Sequence, residues 1–137
     1  MVTNYVTELV KGLSREKAEL LTANAANQQN AFNDMANGYV IPMEIRGLFS
    51  DLSIAEKVKG QEGIKAVYDE VVERFKDDYK MITELAVCLN WKIWQLYKQD
   101  EETARCYDKL WSQVGNFFYT TFKGNKEAER YYFEVTD

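Results

Sequence analysis

IKAVYDEVVERFKDDYKMITELAVCLNWKIWQL, residues 64 to 96, decides the fold class of this chain. Ile64, Val67, Tyr68, Val71, Val72, Phe75, Tyr79, Ile82, Leu85, Ala86, Leu89, Ile93 and Leu96 recur at steps of three and four residues, with no Gly or Pro between them. That period lines one stripe of an α-helix, because side chains three and four apart stack on the same face. The spacing predicts one long central helix over about 63–98, roughly 50 Å long at 1.5 Å per residue.

Working outward, Asp100, Glu101 and Glu102 place carboxylates where a new helix leaves N–H groups unsatisfied. Ala104, Tyr107, Leu110, Trp111, Val114, Phe117, Phe118 and Phe122 then form the apolar stripe of a helix over 101–122. Lys123-Gly124-Asn125 closes it and caps a last short helix, KEAERYYFEV. On the other side, residues 3–11 make a short amphipathic helix with Tyr5, Val6, Leu9 and Val10 apolar, ending near Gly12. Ser14 caps a second helix that runs to about Asn37, where Asn37-Gly38 supplies a left-handed stop. Tyr39 to Ile41 reads as extended ahead of Pro42, Pro42 opens a short helix through Phe49, and Ser53 caps the piece IAEKVKG. Only YVI and YYFEV permit a strand. The expected architecture is an all-α, single-domain bundle of about five helices over 1–137, its long helix antiparallel to those before and after it.

Composition narrows the function. An apolar fraction of 46%, with three Trp, nine Tyr and seven Phe, excludes intrinsic disorder. A net charge of -5 with Lys and Arg interleaved among the acids disfavours a phosphate-backbone binder, so no direct nucleic-acid contact is expected. No stretch approaches the ~20 apolar residues that span a bilayer, and MVTNYVTELVKGLSREK lacks the pattern of a secretory leader. A cytoplasmic protein with no membrane contact is expected, with Cys88 and Cys106 reduced.

The chain contains no His, which removes Ser-His and Cys-His nucleophilic pairs, His-ligated zinc and Glu-x-x-His di-iron sites. Neither GQEG (60–63) nor any other segment fits a phosphate-cradling loop. Glu70, Glu73, Asp77 and Glu84 lie along the central helix, but the stripe runs through Val67, Val71 and Phe75, and the acids have Arg74, Lys76 and Lys80 three or four residues off. That is the pattern of a solvated, salt-bridged face, whereas a catalytic carboxylate is tuned by burial. No catalytic residue, metal or cofactor is expected.

Two segments point to interaction surfaces instead. LTANAANQQNAFNDMANG, residues 21–38, has Asp34 as its single charge. On a helix, Ala18, Leu21, Ala25, Phe32, Met35 and Ala36 share one face and Asn27, Asn30, Asn33, Asp34 and Asn37 the other, but Asn24 and Gln28 fall inside the apolar arc. A buried amide without partners costs about 1–3 kcal/mol, so these two either bond within the bundle or meet a second chain. In CLNWKIWQLY, residues 88–97, the core stripe continues through Leu89, Ile93 and Leu96, while Val87, Trp91 and Trp94 lie on the other side. Trp91 and Trp94 are either central core or anchors of an interface, where Trp is enriched. A small-ligand site beside them is a further alternative. The candidate interface residues are Asn24, Gln28, Phe32, Trp91 and Trp94.

LNWKIWQLY, YDKLWSQV and the terminal KGNKEAERYYFEVTD together resemble the C-terminal pattern of small helical proteins encoded by phages and conjugative elements of gut bacteria. The resemblance covers about the last fifty residues, rests on scattered aromatics, and implies a mobile-element origin without supplying an activity. The function expected is a non-enzymatic protein-interaction module, self-associating, acting as an accessory or inhibitor of a mobile element. A structural part of a particle or transfer machine is the alternative.

Overall fold

A computed structural model describes residues 1–35 and 41–136. It contains six α-helices and no strand among those residues: α1 (Asn4–Lys11), α2 (Arg15–Met35), α3 (Leu48–Phe75), α4 (Tyr79–Leu96), α5 (Glu101–Thr121) and α6 (Lys126–Thr136), with a single 3-10 turn at Met43–Ile45. The all-α class and a long helix in the middle of the chain are both present. YYFEV belongs to α6 and is helical. The Asn37-Gly38 stop, Ala36 and most of the extended Tyr39–Ile41 piece lie outside the described residues. No helix is long and apolar enough to cross a membrane among the described residues.

The long helix has other limits than its period suggests: it runs Leu48–Phe75, and the expected span 63–98 is divided between α3 and α4. The break falls at Lys76–Asp78. Asp78 adopts an extended conformation and its side chain accepts from the N–H groups of Lys80 and Met81, which makes it the N-cap of α4. The apolar period survives the break because Phe75, Tyr79 and Ile82 keep the four-and-three step across it. Ser53, expected to begin a helix, lies buried inside α3 and donates to the Phe49 carbonyl.

The chain forms two compact units, Met1–Glu70 and Val71–Asp137, whose boundary falls inside α3. In the first unit α3 doubles back at Gly60, where φ is 60° and ψ -139°, a conformation that side chains with a Cβ rarely adopt. A Cβ at Gly63 would stand 2.4 Å from the Ala55 carbonyl oxygen, so glycine there lets the two arms approach closely. The reversal is confirmed from a distance. Asp51 and Glu70 would be roughly 28 Å apart along a straight helix, yet they bond to neighbouring residues of α1. Asp51 Oδ2 accepts from the Val2 N–H (3.0 Å), the Thr3 N–H (2.7 Å) and the Thr3 hydroxyl (2.8 Å). Glu70 accepts from the N–H groups of Asn4 (2.7 Å) and Tyr5 (2.9 Å). Thr3 caps α1 by accepting from the Val6 N–H, and Val6 is buried.

α2 is tied to α3 through three adjacent contacts. Phe32 stacks on Phe49 at 4.8 Å, Gln29 accepts from the Ser50 N–H, and Gln28 accepts from the Ser53 hydroxyl. In the second unit α4 packs against α5 and α6. The core there gathers Leu85, Leu89, Tyr107, Leu110, Val114 and Phe118, with Phe118 and Tyr132 rings 4.3 Å apart. The expected caps are present: Asp100 accepts from the Thr103 N–H, and Asn125 from the Ala128 N–H. Trp111, assigned to the buried stripe, is instead exposed.

Candidate functional site

The five candidate interface residues fall in different environments. Asn24 is exposed, outside the apolar arc expected of it, because the buried stripe of α2 is narrow: only Ala25, Gln29 and Phe32 are fully buried. Gln28 is half-buried and satisfied within the chain by Ser53 at 2.7 Å. Phe32 is core, closed off by Phe49. The amide that takes the buried place is Gln29, which accepts from Ser50 and donates to Asn33. Its position one residue after Gln28 is a shift of 100° around the helix, too small for an apolar period of small Ala residues to resolve.

Trp91 is half-buried and Trp94 is 62% exposed. The Trp94 ring meets Tyr97 edge to face at 5.7 Å, and Tyr97 is itself exposed. Tyr97 also lines an open groove of about 290 Å³ with Ile93, Ala104, Glu101, Arg105 and Asp108. Ile93 and Ala104 are the aliphatic residues of its lining, and α5 contributes an acid, a base and an acid in sequence. Arg105 lies 3.8 Å from Glu101, both largely in solvent, so the pair is worth well under ~1 kcal/mol to stability and both groups are available to other charges. α4 positions Trp94 and Tyr97 one turn apart at its end, and the Asp100 cap starts α5 beside them.

Compared with protein-family models, curated proteins and solved structures, the chain matches none.

The acids of the supposed solvated face divide. Glu73 pairs with Lys76 at 3.1 Å in solvent. Glu70 holds the start of α1. Glu84 is buried, contrary to the solvated face expected of it, and accepts from the Cys88 thiol at 3.6 Å. Lys92, one further turn along α4, is also buried. Burial pushes the Cys88 thiol well above its ordinary pKa and the Glu84 carboxylate raises it further, so Cys88 is held as an unreactive thiol. Burial likewise raises Tyr68 to about 12, with Asp69 adding to it. No group of three or more Cys, Asp or Glu is placed to hold a metal ion among the described residues.

Sequence reasoning missed Tyr97 as the partner of Trp94, and the α5 residues beside it. The signal was present in the acidic run that starts α5 directly after LYKQ, which brings two helix ends together.

Proposed function

We propose that this chain is a non-catalytic protein-interaction module that associates with itself through the end of α4, serving as a cytoplasmic accessory or inhibitory protein of a mobile genetic element. One observation carries the reading: Trp94, 62% exposed, is braced by Tyr97, which itself lines a groove with Ile93 and Ala104. Isolated apolar residues on a surface are ordinary, but a braced Trp–Tyr pair presents a large, rigid area that loses little conformational entropy on binding. A second copy suits the charges. Arg105 stands between Glu101 and Asp108, so a two-fold contact can offer each Arg105 to an acid of the other copy. An open groove with charged walls also favours a protein surface over a small molecule, which is held by enclosure. The mobile-element role draws on the C-terminal resemblance.

Light scattering of wild type beside Trp94→Asp and Gln28→Lys, with circular dichroism for folding, tests this. The expected result is an oligomeric wild type, a folded monomer for Trp94→Asp, and an unchanged mass for Gln28→Lys. A wild type that stays monomeric at all concentrations overturns self-association.

A further inference from the structure

The N-terminus of α1 closes the turned-back α3. Four successive N–H groups, those of Val2, Thr3, Asn4 and Tyr5, are shared between two carboxylates, Asp51 on the first arm and Glu70 on the second. Because Thr3 and Asn4 are adjacent, the two carboxylates are within about 9 Å of each other, although they are 19 positions apart in the sequence. Two like charges at that separation repel, and the positive end of α1 is what stands between them. Asp51 is buried with Oδ1 lacking a hydrogen-bond partner among the described residues, so this carboxylate depends on its Oδ2 contacts with Val2 and Thr3. The arms meet at Gly60, whose backbone has room around it.

We infer that α1 is a removable staple: displacing residues 2–6 and opening α3 about Gly60 are one coupled transition, which uncovers Val6 and Thr3. α1 suits such a role. Its eight residues are too few to hold a helix alone, so it is helical because it is docked. Its long-range hydrogen bonds to Asp51 and Glu70 tie it to both arms of α3.

Amide hydrogen exchange on the full chain tests the coupling. Val6→Asp places a charge in a buried seat and should eject α1. The expected result is at least ten-fold faster exchange in residues 4–8 and in both arms, 48–59 and 61–70, with α5 unchanged. Adding Asp51→Asn and Glu70→Gln removes the repulsion and should restore protection of the arms while α1 stays free. Arms that keep wild-type protection while α1 exchanges freely overturn the inference. Should Val6→Asp unfold the whole chain, the milder Val6→Ala, which loosens the seat of α1 and keeps both carboxylates, decides. It should speed exchange in residues 4–8 and in both arms together, and faster exchange of α1 alone again overturns the inference.

Discussion

The two halves of α4 have similar composition and opposite fates. From Met81 to Leu89 every residue is buried, Thr83 and Glu84 included. From Trp91 onward the helix opens to solvent, with Trp94 outside and Lys92 inside at 1% exposure. Hydrophobicity ranks Trp94 for the core and Lys92 for the surface, and both are reversed. The difference teaches that an all-round apolar helix records how many surfaces need covering, not which chain covers them. Over the first half, this chain provides the cover. Over the second it leaves a Trp–Tyr pair facing outward.

The contrast is broken most forcefully by truncating one side chain in each half. Leu85→Ala, in the fully buried half, should cost about 2–5 kcal/mol in chemical denaturation. Trp94→Ala should move monomer stability by no more than ~0.5 kcal/mol. Equal losses would make Trp94 a core residue. A smaller effect is expected at the reversal of α3: Gly60→Ala meets no side chain but forces a Cβ into positive φ, at about 1–3 kcal/mol. The same denaturation measurement checks it, and no loss would mean that the reversal tolerates any residue. Asp78→Ala, which removes the cap that separates α3 from α4, should cost about 1 kcal/mol.

The smallest expected effect concerns pH. Burial raises the Asp51 pKa, against the lowering effect of the Thr3 and Val2 hydrogen bonds. A raised pKa in the folded state means that the folded protein holds the proton more tightly. The stability this contributes is complete below the ordinary carboxylate value and is lost as pH rises through the raised one. Asp51→Asn should therefore gain on wild type in denaturation midpoint between acidic and neutral pH. A difference that stays constant with pH would remove the burial effect.

Much of this was legible in residue order. The three-and-four spacing, the Asp100 and Asn125 caps and the helix start at Ser14 are local signals, and the structure keeps each. The break at Asp78 was hidden because a three-residue interruption left the apolar period in phase. The reversal at Gly60 was written only as GQEG, which specifies a turn but not that its arms fold together. Which amide of Gln28 and Gln29 lies inside depends on how α2 rolls on Phe49, a tertiary matter. Exposure of Trp94 depends on what α5 and α6 leave uncovered, and no local pattern encodes that.

The measurement closest to the central claim is amide hydrogen exchange of the wild type at low and high protein concentration. Self-association through the end of α4 predicts slower exchange at high concentration in residues 91–108, with the exposed, uncharged face of α2 at residues 20–33 unchanged. Concentration-independent exchange over 91–108, or protection that grows over 20–33 alone, would contradict the account.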